Sequence, residues 1–206
     1  MLSLSLLGTL LLSSCILAAP VEKRTPPNIP DTAAAKTALA GLTVAAQGPQ
    51  TGYSRDLFPH WITVSGTCNT RETVLKRDGT NVVVSSACTS TSGSWFSPYD
   101  GATWTAASDV DIDHMVPLSN AWKSGAAAWT TSQRQAFAND LTNPQLIAVT
   151  DNVNQAKSDS GPEAWKPPLT SYHCTYAKMY TKVKSVYKLT VTSAEKSALT
   201  SMLNTC

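Results

Sequence analysis

The residues most able to do chemistry stand together in Asp109-Val110-Asp111-Ile112-Asp113-His114. Polar and apolar side chains alternate there with the period of a half-buried strand, so Val110 and Ile112 point inward and Asp109, Asp111 and Asp113 line the other face. Three like charges in a row oppose one another unless a cation or a basic group lies among them, which makes the segment a candidate metal-binding strand. An EF-hand is excluded: its sixth position requires glycine and here is His114, and its twelfth requires a bidentate glutamate and here is Asn120. A zinc centre is disfavoured, because the chain has only His60, His114 and His173 and its cysteines are expected to be oxidised. One oxygen-ligated hard cation fits best: Mg²⁺, with Mn²⁺ or Ca²⁺ as alternatives. Such an ion takes one or two protein oxygens and keeps the rest of its sphere for water and phosphate.

A second oxygen donor is available downstream. Gln145-Leu146-Ile147-Ala148-Val149 reads as a strand, and the polar run from Asp151 to Ser158 as a short helix after it. Asn154 and Lys157 lie three apart, on one helix face. The order is therefore strand, long insertion, strand, helix. Adjacent residues of a regular strand point to opposite faces, so Asp113 and His114 can share a site only if the strand ends or bends between them. Pro117 is consistent with such an ending.

Asp113-His114-Met115-Val116-Pro117, then Asn143-Pro144-Gln145-Leu146, then Asn154-Gln155-Ala156-Lys157 resembles the signature of the HNH (His-Me finger, ββα-metal) endonucleases: D-H-x-x-P, a central Asn before a strand, and N-x-x-K. Trp122, Ser124-Gly125-Ala126, Arg134, Phe137-Ala138-Asn139-Asp140 and Pro162-Glu163-Ala164-Trp165 extend the likeness to secreted HNH-family proteins with a DUF1524-type domain. It runs from about residue 53 to the C-terminus. The resemblance implies phosphodiester hydrolysis, with His114 as the general base and Asp113 and Asn154 holding one divalent cation. It also implies that Asn143 orients His114. The third signature residue is Asn154 where many members have His. Lys157, Arg134 and Arg71 are candidate phosphate contacts, each equally open to a structural ion-pair role. The substrate implied is nucleic acid, DNA and/or RNA, with low sequence specificity.

These groups need a scaffold. Asp31 can cap a helix over residues 33–40, ending at Gly41. Between Gly66 and Cys88, Thr70 can cap a helix over residues 71–77, Asp78-Gly79 turns, and residues 81–85 form a β-branched strand. Tyr172, Tyr176, Met179, Tyr180, Val183 and Tyr187 recur at helical spacing, with Lys178, Lys182, Lys184 and Lys188 mostly off that stripe. Thr192-Ser193-Ala194-Glu195 is a capping box opening a second helix with Leu199 and Leu203 inward. The hairpin of these two helices brings Cys174 beside Cys206. Of the pairings open to Cys68, Cys88, Cys174 and Cys206, it favours Cys174–Cys206, which leaves Cys68–Cys88 to staple the earlier unit. No C-x-x-C spacing supports zinc. His60, His173 and most of the tryptophans read as packing residues.

The N-terminus sets the compartment. Residues 1–19 have an uncharged apolar run followed by Leu17-Ala18-Ala19, a signal peptide too short for a membrane span. Lys23-Arg24 closes a short propeptide over residues 20–24. What remains, residues 25–206, is read as a single secreted domain, monomeric and free of the membrane, with the ββα-metal core at about residues 108–160. Removal of Glu22, Lys23 and Arg24 leaves 14 basic and 13 acidic residues, so any basic surface must be local. The fold class expected is α+β: a ββα-metal core with helical insertions and a C-terminal helical hairpin, disulfide-stapled. The alternative to a nuclease is a disulfide-stabilised extracellular binding or effector protein with an inactive nuclease-like site. A phosphodiesterase of small substrates is a third reading.

Overall fold

The computed structural model describes residues 26–206; the expected signal peptide, the expected Lys23-Arg24 processing site and the expected start at Thr25 lie outside the described residues. The architecture is α+β. The helices are α1 (Thr32–Gly41), α2 (Thr70–Asp78), α3 (Leu118–Lys123), α4 (Thr131–Ala138), α5 (Asp151–Lys157), α6 (His173–Val186) and α7 (Ser193–Leu203). The strands are β1 (Thr63–Ser65), β2 (Cys68–Asn69), β3 (Thr80–Val84), β4 (Ser90–Phe96), β5 (Thr103–Trp104), β6 (Val110–His114) and β7 (Leu146–Thr150). They form three small antiparallel sheets, β1-β2, β3-β4-β5 and β6-β7.

The β6-β7 pair separates two apolar clusters. Val110, Ile112, Leu146 and Ala148 face a small cluster with Val74 and Leu75 of α2 and Trp95 of β4. Ile147 and Val149 belong to the larger cluster, built on α1, α3, α4, α6 and α7. Gly79, after α2, allows the Trp95 indole to come close: a Cβ there would lie 2.5 Å from Trp95 Nε1, which donates to the Leu75 carbonyl at 2.8 Å.

Helix ends follow local chemistry. Asp31 caps α1 by accepting from Ala34 N at 2.7 Å. Thr70 was expected to cap α2, but Asn69 does so, accepting from Glu72 N at 2.8 Å. The Thr70 side chain is buried and bonds to other segments instead. The Thr192–Glu195 capping box opens α7. Tyr176, Met179, Tyr180 and Val183 form the buried stripe of α6. Lys184 departs from the expected exposed face: it is fully buried, with Nζ 2.6 Å from Asn120 Oδ1 and 3.6 Å from Glu195 Oε1.

Disulfides join Cys68 to Cys88 and Cys174 to Cys206, with Cα atoms 5.1 and 5.3 Å apart. Each restricts the unfolded chain and contributes about 3 kcal/mol. No helix among the described residues is long and apolar enough to cross a membrane.

Candidate active site

The site is organised by β6, whose register against β7 is regular: Asp111 pairs with Val149, Asp113 with Ile147 and His114 with Leu146. The ladder continues beyond the strand, with Met115 N donating to Gln145 O at 2.7 Å. No bend separates Asp113 from His114, so the two side chains leave opposite faces of the strand. The Gln145 side chain secures the next turn, bonding both the N–H and the carbonyl of Val116 at 3.1 and 3.0 Å.

On one face, α5 lies across the carboxylates. Asn154 Nδ2 donates to Asp111 Oδ2 at 3.1 Å, and Lys157 Nζ donates to Asp113 Oδ1 at 2.8 Å. Lys157 Nζ also donates to the His114 carbonyl at 3.0 Å, and the Tyr99 hydroxyl donates to Asp113 Oδ2 at 2.5 Å. Asp113 and Lys157 are both buried. Burial pushes the Asp113 carboxyl up from its usual value, against the pull of the Lys157 ammonium and the two hydrogen bonds. The Tyr99 phenol is pushed well above its ordinary range by burial and by the adjacent carboxylate.

His114 closes the other face. Its ring is stacked on Trp61 at 5.4 Å and 28° and lies edge-on to His60 at 6.5 Å. Nε2 is 2.9 Å from the Ala138 carbonyl oxygen. A carbonyl can only accept, so Nε2 carries the proton and Nδ1 keeps its lone pair. Burial lowers the imidazole pKa to about 3, against the hydrogen bond to Ala138, and the positive charges of Arg55 and Lys157 act in the same direction as burial. The ring is neutral at pH 7.

Beside it is a pair that no sequence pattern connects with His114. Arg55, exposed, donates from Nε to His60 Nε2 at 3.3 Å, and His60 Nδ1 meets the Phe58 carbonyl at 2.8 Å. Arg55 is far from His114 in sequence, and its loop carries no periodic signal that could have placed it there.

The other expected site residues are bonded within the fold. The Asn143 carboxamide donates to Asp140 Oδ2 at 2.9 Å, and its backbone N donates to Asp140 Oδ1. The group that meets the His114 ring is the Ala138 carbonyl, not Asn143. Arg134 is buried and donates to the carbonyls of Leu57, Ala126 and Trp129. Arg71 reaches the carbonyls of Val110 and Ala107 at 3.0 and 3.3 Å and pairs with Glu72. Of the three basic residues expected at phosphate, Lys157, Arg134 and Arg71, each is thus satisfied internally.

The donor set can be tested against a divalent cation. Asp113 offers it nothing as arranged: one oxygen meets an ammonium, the other a phenol, and the charge is already balanced. Asn154 turns toward Asp111, and no cluster of three or more His, Cys, Asp or Glu suited to a metal occurs among the described residues. The expected pair, Asp113 and Asn154, does not fit the ion in this arrangement.

Residues 70–202 match the family described as GmrSD restriction endonucleases, C-terminal domain. A protein of Arthroderma benhamiae, named "Uncharacterized secreted protein", is 78% identical over 191 residues, covering 93% of this chain and 94% of the relative. In keeping with that relative, the chain is a secreted protein. No solved structure matches it.

Proposed function

From a chain that belongs to the family of GmrSD restriction endonuclease C-terminal domains, we propose a secreted endonuclease of the HNH type, hydrolysing phosphodiester bonds in DNA and/or RNA with low sequence specificity. Family membership supports nuclease-type chemistry on nucleic acid in the coarse sense. The finer reading rests on one observation: His114 Nε2 is tied to the Ala138 carbonyl, which leaves Nδ1 as the basic nitrogen of the ring.

In this reading His114 Nδ1 takes the proton of a water that attacks phosphorus, while the P–O bond to the sugar on the far side breaks and that oxygen leaves, taking a proton from solvent. The ring need not reorganise, because Ala138 fixes its edge and Trp61 its face; general-base catalysis of this kind contributes about 10²–10⁴-fold. Arg55 supplies the exposed positive charge near the imidazole, and we assign it to a non-bridging phosphate oxygen. His60 holds the Arg55 guanidinium through Nε2. The order of strands β6 and β7 followed by helix α5 supports this reading, which takes them as a ββα unit with α3 and α4 as the insertion.

A plasmid-nicking assay of the wild type and His114→Ala tests the assignment. The variant is expected to lose about 10²-fold or more; equal nicking by both proteins rejects His114 as the base.

One observation favours a second reading, an extracellular binding or effector protein. Asp113 is sealed by Lys157 and Tyr99 on the face opposite His114. Under that reading the wild type itself nicks nothing, with or without Mg²⁺.

A further inference from the structure

Asn139 is the first residue beyond α4, next in the chain to Ala138. Its carboxamide makes four hydrogen bonds, the full capacity of that group. Oδ1 accepts from Thr70 Oγ1 at 2.7 Å and from Ile62 N at 3.2 Å. Nδ2 donates to Pro59 O at 2.7 Å and to Gln135 O at 2.8 Å. Three segments are joined at this one side chain: the last turn of α4, the start of α2, and the loop over residues 59–62.

Both groups that hold the His114 ring hang from those segments. The Ala138 carbonyl, on the Nε2 edge, adjoins Asn139 in α4's last turn. Trp61, on the ring face, sits between the two loop atoms that Asn139 grips, Pro59 O and Ile62 N. Trp61 has φ of +57°, a left-handed conformation that a bulky side chain adopts only under outside constraint. The Asn139 bonds on either side of Trp61 provide that constraint.

We infer that Asn139 is the positioning residue for His114, holding the imidazole in its Nε2–H form by setting the Ala138 carbonyl and the Trp61 indole around it. The role requires a carboxamide. Aspartate can accept from Thr70 and Ile62 but has no N–H for Pro59 and Gln135, and it sets a carboxylate against two carbonyls. This inference rests on the reading of His114 as the base for its catalytic meaning, but its geometric content is separable from it.

The test is long-range ¹H–¹⁵N correlation NMR of the His114 ring at neutral pH, in the wild type, Asn139→Ala and Asn139→Asp, with nicking rates on the same samples. In the wild type a protonated Nε2 and a bare Nδ1 are expected. In both variants a second, Nδ1–H population is expected, with kcat lower by about 10- to 100-fold and KM within about threefold, because a small misplacement of a catalytic group is costly to rate. An unchanged ring signature with only a lower Tm overturns the inference and leaves Asn139 as a helix cap. If both Asn139 variants fail to fold, Thr70→Val removes one bond to Oδ1; the same mixed ring signature is expected, and a wild-type signature overturns the inference. If the wild type does not nick, the proposed function fails, while the NMR comparison still decides the role of Asn139.

Discussion

The Lys157 ammonium stands 2.8 Å from Asp113 Oδ1 and 3.0 Å from the His114 carbonyl, in the corner where a divalent cation was expected from the sequence. A cation binding through Asp113 must displace that ammonium. The cost of breaking a buried ion pair is on the order of 3–5 kcal/mol. Lys157→Met is therefore expected to bind Mg²⁺ or Mn²⁺ at least about tenfold more tightly than the wild type, tenfold being 1.4 kcal/mol. Calorimetry with Mn²⁺ reads this directly. Equal affinities, or no binding by either protein, would remove Asp113 from any metal site.

The acid limb of activity should lie well below the range of an ordinary histidine. An unperturbed imidazole loses its base form below about pH 6.5, but burial lowers His114 to about 3. Nicking is thus expected to stay level from pH 7 to about pH 5. The same shift acts on stability. The neutral ring resists a proton that the unfolded chain accepts, so stability falls as pH drops from 6.5 toward 3. A profile of activity that halves near pH 6.5 in folded protein would contradict the burial of the base.

Arg55 and Arg134 should separate cleanly. Arg55→Ala removes an exposed cation with no carbonyl to serve, and is expected to cut nicking by about 10²-fold with little change in Tm. Arg134→Met strips donors from three carbonyls, that of Ala126 buried and those of Leu57 and Trp129 part-buried, and should cost on the order of 3 kcal/mol of stability. Urea unfolding and steady-state rates on both variants check the contrast; loss of activity from Arg134→Met at full stability would reverse the assignment.

The buried Lys184–Glu195 pair sets a further pH dependence. Burial alone would raise the Glu195 carboxyl, but the Lys184 ammonium and bonds from Thr192 N, Asn120 and Tyr180 outweigh it and hold the group below its usual 4.5. A depressed acid stabilises the fold above the unfolded value and loses that contribution as pH falls through the folded one. Denaturant midpoints should drop below pH 4.5 in the wild type and drop less in Glu195→Gln. Lys184→Met, which strands the carboxylate, is expected to cost about 3–5 kcal/mol at pH 7.

Much of the architecture is legible in the sequence where the signal is local. The α6 stripe, the Thr192 capping box and the alternation of β6 are short-range patterns, and the structure contains each of them. The order of β6, insertion, β7 and α5 follows from the same kind of reading. What was not legible depends on distant partners. Lys184 looked like a solvated residue because Asn120 lies 64 positions away and supplies its acceptor. Tyr99 gave no hint that it would cap Asp113. The group on His114 Nε2 is a backbone carbonyl, which no side chain advertises. Strand β4, rich in Ser and Thr, lacks the apolar alternation by which β6 was found, and only its pairing with β3 and β5 marks it as a strand.

The strict pairing of β6 with β7 has one more consequence. The ribbon carries carboxylates on one side and Val110, Ile112 and His114 on the other, and each side has its own matched surroundings. Sliding β6 by a single position would press charge into the apolar cluster around Trp95 and turn valine toward Asn154 and Lys157. The penalty for such a slip falls on several residues at once, so the histidine's address is guarded by neighbours that never touch it.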